Sequence, residues 1–132
     1  MNTKLSFKQI IIAGAKAAAV AALINTILFF IFRAAGFITD SILVENKVLT
    51  VTPIIISSIV PSLIGACIFF LFEKFSNNGF KIFSIIAIVL LILSFANPFF
   101  GIPNVTIAYG IALDIMHVTV ALPLLYFLSK AK

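Results

Sequence analysis

Four long apolar stretches, separated by short polar breaks, occupy most of the chain. They cover about residues 10–32, 53–72, 80–95 and 105–128. An α-helix needs about 20 residues to cross the hydrocarbon core of a bilayer. Hydrocarbon offers no hydrogen bonds to an open backbone, so each stretch must satisfy its own backbone as a helix. The pattern predicts four transmembrane helices, at about residues 8–34, 53–74, 79–96 and 105–129.

The predicted fold is an all-α membrane protein, a single domain spanning residues 1–132 and built as an antiparallel four-transmembrane-helix bundle. The polar segment 73–79 is short enough to make the second and third helices antiparallel neighbours. The first outer loop, about 34–52, carries β-branched runs on both sides of Glu45-Asn46-Lys47. This loop could form a small β-hairpin, an irregular connection or an extension of the second helix.

Composition supports a lipid environment. Hydrophobic residues make up 63% of the chain, and the mean hydropathy is +1.28. A chain of 132 residues cannot hide that much apolar surface from water. The net charge of +5 does not indicate nucleic-acid binding, because the cations flank the apolar stretches and no basic, aromatic face is formed. The expected surroundings are the lipid bilayer, with no nucleic-acid partner.

The distribution of cations predicts the orientation. With four crossings both termini lie on one side of the membrane, together with the 73–79 turn. Seven of the nine Lys and Arg residues fall on that side, namely Lys4, Lys8, Lys16, Lys74, Lys81, Lys130 and Lys132. Because positive charge marks the cytoplasmic face, we expect both termini in the cytoplasm.

The first helix has a stripe of small residues. Gly14, Ala18 and Ala22 recur at four-residue spacing, which lets helix backbones approach closely in lipid. Asn25 lies within roughly 20° of Gly14 and Ala18 around the helix axis. Because an amide facing lipid is costly, we expect Asn25 to point into the bundle.

Two prolines lie inside predicted helices. Pro61 is in the second helix among several serines, and Pro123 is in the fourth. A proline removes one helical hydrogen bond, and serine hydroxyls can satisfy nearby carbonyls. We therefore expect a kink at each proline.

The fourth helix holds the strongest chemical signal, Asp114 and His117 at a spacing of three residues. Both side chains lie on one face, at a depth comparable with that of Asn25. An ionisable group inside the hydrocarbon is a candidate functional site. Asp114, His117 and Asn25 form either a site for a ligand, an ion or a proton, or a polar network that fixes the packing of the helices.

Catalytic and cofactor chemistry finds little support. The chain has one histidine and one cysteine, so neither a pair of thiols nor two haem-ligating histidines can come from one subunit. There is no His/Glu metal cluster and no serine–base motif. We expect no enzyme activity, no cofactor and no bound metal.

The segment 112–123 resembles the last helix of an uncharacterised family of small bacterial four-helix integral membrane proteins. The resemblance rests on Met116-His117, the small and apolar residues that follow, and Pro123, after an alanine-rich first helix. It covers most of the chain in length and hydropathy. It implies a bacterial inner-membrane protein and supplies no activity.

Two functions remain in competition. The small-residue face of the first helix favours an accessory or scaffold subunit, associated with a second copy of the chain or with another membrane protein. The polar residues at a common depth, beside the two prolines, favour a small transporter or proton-coupled carrier that uses Asp114 and His117.

Overall fold

The computed structural model of the protein describes residues 4–131; Lys132 and residues 1–3 lie outside it. The described chain forms five helices and one pair of short strands. These are α1 (Phe7–Ala34), β1 (Leu43–Val44), β2 (Lys47–Val48), α2 (Val51–Phe75), α3 (Gly79–Ser94), α4 (Asn97–Gly101) and α5 (Ile107–Ser129). Four spans are long and apolar enough to cross a membrane, because α3 and α4 together count as one, Gly79–Gly101. The predicted four-helix membrane fold is confirmed.

Side-chain caps determine where two of the long helices begin. The Ser6 hydroxyl accepts from the Gln9 backbone N–H at 3.1 Å, and the Ser6 N–H donates to the Gln9 side chain at 2.8 Å. This reciprocal pair is a capping box at the start of α1. Thr106 caps α5 by accepting from the Tyr109 N–H at 3.1 Å.

The small-residue stripe of α1 packs inside the bundle. α1 packs against α2 and α5, and a Cβ placed on Gly14 would lie only 2.6 Å from the Ala66 Cβ on α2. Of the predicted packing residues, Gly14 and Ala18 are buried and Ala22 is partly buried. Small side chains therefore let α1 and α2 approach closely. α3 contacts α2 and α5 but not α1, so within the described residues α1 and α3 lie on opposite sides of the α2–α5 pair.

The first outer loop contains the β-hairpin. β1 and β2 pair antiparallel, with Leu43 opposite Val48 and Val44 opposite Lys47. Glu45 and Asn46 both have positive φ, 52° and 66°, as a two-residue turn of type I′ requires. Ile38, Ile42 and Leu49 beside the hairpin are buried. This packing gives the two short strands the surface that an isolated hairpin lacks.

The connection after α3 is more helical than the sequence suggests. Residues 97–104 fall between the predicted third and fourth helices, but residues 97–101 form the short helix α4, which begins at Asn97-Pro98. Proline is well suited to a first helical turn, because its missing N–H would have no partner there. The ring of Phe99 lies directly over Gly110 of α5, so α4 covers the start of α5.

The bundle has two distinct ends. The termini end holds the α2–α3 turn and both described ends of the chain: the Lys4 Nζ donates to the Lys74 carbonyl at 2.9 Å, and the Leu5 N–H to the Glu73 carboxylate at 2.8 Å. Leu5 also shares an apolar cluster with Leu128 near the end of α5. The hairpin end, opposite, holds β1, β2 and α4. The assignment of the termini end to the cytoplasm stays a prediction.

Candidate functional site: a polar cavity at the hairpin end

Three helices are joined by hydrogen bonds at Asn25, which is 2% exposed. The Asn25 Nδ2 donates to the Ser58 hydroxyl on α2 at 2.9 Å and to the Met116 carbonyl on α5 at 3.2 Å. The Thr119 hydroxyl donates to the Asn25 Oδ1. We call these four residues the Asn25 network. It satisfies a buried amide and links α1, α2 and α5 at one depth.

Asp114 and His117 lie apart from this network. The Asp114 Oδ1 is 3.9 Å from the His117 Nδ1, so the two side chains face each other as their spacing predicts. Within the described residues neither atom has a hydrogen-bond partner. Asp114 projects about 160° away from Met116 around α5. The structure therefore joins Asp114 to His117 but does not bring Asp114 to Asn25.

A cavity of about 440 Å³ is lined by residues from both the Asn25 network and the Asp114–His117 pair. Asn25 and Ser58 line it, and so do Met116 and His117, whereas Asp114 does not. Its walls come from the hairpin, the start of α2, α4 and the first half of α5; they include Glu45, Ser57, Asn97 and Val120. The side chain of His117 is 40% exposed and that of Asp114 18%, so the imidazole is the more accessible of the pair.

Glu45 marks the rim of the cavity. Its side chain is exposed at the tip of the hairpin, and the residue also lines a surface groove with Asn46 and Asn104. From that rim the cavity extends down to Asn25. The described structure thus has a passage from the hairpin end to roughly the middle of the bundle.

The termini end below the cavity contains a packed apolar cluster. It is formed by the buried residues Leu5, Ile10, Ala13, Ala17, Ala66, Phe69, Phe83, Leu124 and Leu128. Phe69 packs edge-on against Phe83 with ring centroids 5.3 Å apart. The described cavity has no lining residue in common with this cluster.

Both prolines lie just beneath the cavity floor. Pro61 follows Ser58 by three residues and Pro123 follows Val120 by three, which is about 5 Å along each helix. α2 and α5 each continue through their proline, and the kinks predicted there stay predictions. Pro61 has no N–H for the carbonyl of Ser57 four residues earlier. That carbonyl, on a cavity-lining residue, is left without its usual helical donor.

The sequence indicates some members of this site and not others. Asn25 and His117 are predicted and line the cavity. Thr119 and the hairpin residue Glu45 are not singled out, although Thr119 is the one hydroxyl-bearing residue within a turn of Met116 in the described α5. Among residues 4–131, no group of three His, Cys, Asp or Glu side chains could hold a metal ion. The lone Cys67 is exposed on α2.

Comparison with protein families adds one finding. The model of a family of unknown function, DUF6069, matches residues 6–132. The chain belongs to this family. The predicted membership of an uncharacterised family is confirmed, while a bacterial origin stays a prediction. Comparison with curated protein sequences and with solved structures gives no match. Because the family has no assigned function, a function has to be inferred from the cavity.

Proposed function

We propose that the protein is a small membrane carrier that binds a solute in the cavity at its hairpin end. The observation that supports this is the passage from Glu45 at the rim to Asn25 and His117 in the middle of the bundle. A cavity of about 440 Å³ falls in the range of roughly 300–1,000 Å³ that holds small organic ligands. Polar residues at membrane depth are expensive unless they face such a cavity or one another.

The proposed carrier cycle uses the contrast between the two ends. In the described structure the cavity lies at the hairpin end, and the apolar cluster from Leu5 to Leu128 packs the termini end beneath it. Pro61 and Pro123, one turn below the floor, weaken α2 and α5 at the same depth. Bending there would open the termini end while the walls of the cavity close. Under the positive-inside rule the proposed orientation has the hairpin end outside and the termini end in the cytoplasm of a bacterial cell.

The competing hypothesis, an accessory or scaffold subunit, is supported less directly. Within the small-residue stripe of α1, Gly14 lies against Ala66 of α2 and Ala18 is buried, while Ala22 is partly buried. Most of that stripe therefore packs inside the bundle rather than facing lipid. α3 is the least buried span, with 11% of its most apolar segment buried. An apolar helix surface in contact with lipid is normal for a membrane protein, so this exposure does not indicate a partner. Neither proposal assigns a catalytic step to the protein.

Cysteine accessibility distinguishes a carrier from a scaffold whose cavity opens to one side of the membrane only. Val120→Cys, at the cavity floor, would be introduced into a Cys67→Ser background and reconstituted in vesicles with one orientation. A membrane-impermeant thiol reagent is then added to either side. A carrier exposes this cysteine to both sides in turn, so we expect modification from both.

The matched control is Leu122→Cys, two residues along α5, whose side chain is 55% exposed on the outer surface of the bundle. In lipid it should remain unmodified from either side. Modification of Val120→Cys from the hairpin side alone would contradict the carrier and leave a one-sided binding cavity. A rate no higher than that of Leu122→Cys would show that water does not reach the floor.

A further inference from the structure

We infer that the cavity selects small organic cations, with Glu45 as the charged contact at its rim. This inference rests on the proposed solute-binding function and names the class of solute. It depends on the charged groups that line the cavity and on the hydrogen-bond donors and acceptors there that have no partner within the protein.

The lining carries an excess of negative charge. Glu45 contributes a carboxylate, and the described residues that line the cavity include no Lys or Arg. His117 is the other ionisable lining residue among them, and an imidazolium there would be balanced by the Asp114 carboxylate 3.9 Å away. The charge of this region is thus opposite in sign to the net +5 of the whole chain.

The nearest cations do not cancel this charge. Arg33, at the same end, is engaged with Asp40, with its Nη2 2.7 Å from the Asp40 Oδ1. Lys47 is on the hairpin but outside the cavity lining. Helix dipoles also oppose one another at this end, because α2 and α5 begin at the hairpin end while α1 and α3 end there.

At the floor, the donors of Asn25 and Ser58 are already engaged. Both hydrogens of the Asn25 amide are used, by Ser58 and by the Met116 carbonyl. The Ser58 hydroxyl donates to the Ile54 carbonyl at 2.8 Å. The floor keeps acceptors: the second lone pair of the Asn25 Oδ1, which takes one hydrogen bond from Thr119, and the Ser57 carbonyl that Pro61 cannot serve. The Ser57 hydroxyl and the Asn97 and His117 side chains also line the cavity and can donate as well as accept. Hydrogen bonding therefore does not choose between ligands of opposite charge, whereas the rim carboxylate attracts a cation and repels an anion.

Charged thiol reagents test the sign of the cavity. Val120→Cys in the Cys67→Ser background would be placed in nanodiscs of uncharged lipid. It would be treated with the cationic trimethylammonium-ethyl methanethiosulfonate and, separately, with the anionic sulfonatoethyl reagent. Each rate is divided by that of the same reagent with free mercaptoethanol. In water, a unit charge about 4 Å from the path of an ionic reagent attracts or repels that reagent enough to change its local concentration on the order of fivefold. We expect a preference of that order for the cation.

Two charge variants of similar size separate the rim carboxylate from the general charge of the surface. Glu45→Gln should remove most of the preference, whereas Lys47→Gln, on the same hairpin, should leave it equal or slightly higher. A preference for the anionic reagent, or a cation preference that Glu45→Gln does not lower, overturns the inference. If both reagents fail to modify Val120→Cys, the proposed solute-binding cavity fails with it. Rapid modification without charge preference refutes only the cation class.

Protection by small molecules of matched shape provides a second measurement. Phenethylamine, phenethyl alcohol and phenylacetate share a phenyl ring and differ in the charge of the polar group. At millimolar concentration phenethylamine should slow the modification of Val120→Cys in the parent chain and lose this effect in Glu45→Gln. Equal protection by the alcohol or by phenylacetate, or none by the amine, counts against a cation site.

Discussion

Asn25 illustrates how one buried amide can join three helices in lipid. Each of its polar atoms is satisfied, by Ser58, by Thr119 and by the carbonyl of Met116. The hydroxyl partners also lie within hydrogen-bond reach of their own helices. Ser58 donates to the Ile54 carbonyl at 2.8 Å, and the single hydroxyl hydrogen of Thr119 is shared between the Asn25 Oδ1 and the Met116 carbonyl, which is 2.8 Å away. If Asn25 is removed, these hydroxyls keep a partner. The loss should therefore be limited to the bonds between helices.

The first prediction concerns Asn25→Leu, which keeps the branched heavy-atom skeleton of the side chain and removes its hydrogen bonds. Interhelical hydrogen bonds in membranes average about 0.6 kcal/mol and reach about 1.7 kcal/mol. We expect a loss of about 1–2 kcal/mol in the free energy of unfolding in mixed detergent micelles. The control is Thr26→Val, because the Thr26 hydroxyl bonds only to Ala22 within α1. A loss for Asn25→Leu no larger than that for Thr26→Val would show that the network does not stabilise the bundle.

At this scale the sequence predicts which residues need partners better than it predicts the partners. A polar residue inside a transmembrane stretch must be buried or face water, so the positions of Asn25 and His117 within apolar runs are enough to single them out. Helical periodicity tells which residues share a face of one helix. It does not tell how each helix is rotated against its neighbours. For that reason depth alone groups Asn25 with Asp114, whereas the folded bundle pairs Asn25 with Ser58 and Thr119.

At the scale of elements, one of the tight contacts is that between α1 and α2 at Gly14 and Ala66. The second prediction is that Gly14→Ala lowers the free energy of unfolding by about 1–3 kcal/mol, as overpacking usually does, because the added Cβ would lie 2.6 Å from that of Ala66. The helices must separate or shift to relieve this overlap. Unfolding in mixed micelles measures the cost.

A second substitution separates this contact from an effect on the helix itself. Ala66→Gly removes the opposing methyl group, so the double variant Gly14→Ala/Ala66→Gly should recover much of the loss despite the poorer helix propensity of glycine. Additive losses in the double variant would place the cost of Gly14→Ala elsewhere than the α1–α2 contact.

The elements differ in how far they can be predicted. The four spans follow from hydropathy and length alone, because lipid excludes other backbone conformations. The hairpin remains one of three alternatives in sequence, since its strands are two residues each and depend on the burial of Ile42 and Leu49. α4 cannot be predicted from the sequence for a similar reason. Five residues that include a proline resemble a turn unless the packing of Phe99 on Gly110 is known.

The whole molecule combines a packed half and an open half. At the termini end aromatic and aliphatic side chains fill the space between α1, α2, α3 and α5. At the hairpin end α4 and the hairpin leave a polar cavity whose floor is the Asn25 network. Hydropathy could not distinguish the two halves, because both lie within equally apolar helices. The polar residues indicate the depth of the site, but its volume is a property of the assembled bundle alone.

The orientation of the molecule supplies the third prediction. Both described ends lie beside the α2–α3 turn, as the bonds from Lys4 to Lys74 and from Leu5 to Glu73 show, and the sequence predicts seven of the nine Lys and Arg residues on that side. Because cations near helix ends resist translocation, a fluorescent protein fused to either end should fluoresce in a bacterial cytoplasm. Alkaline phosphatase fused after Asn46, at the tip of the hairpin, should be active outside the membrane.

The control is a phosphatase fusion after Asn77, in the α2–α3 turn, which should be inactive. Reports of opposite compartments for the two ends would contradict the four-span topology. An active fusion at Asn77 with an inactive one at Asn46 would invert the orientation and place the mouth of the cavity in the cytoplasm.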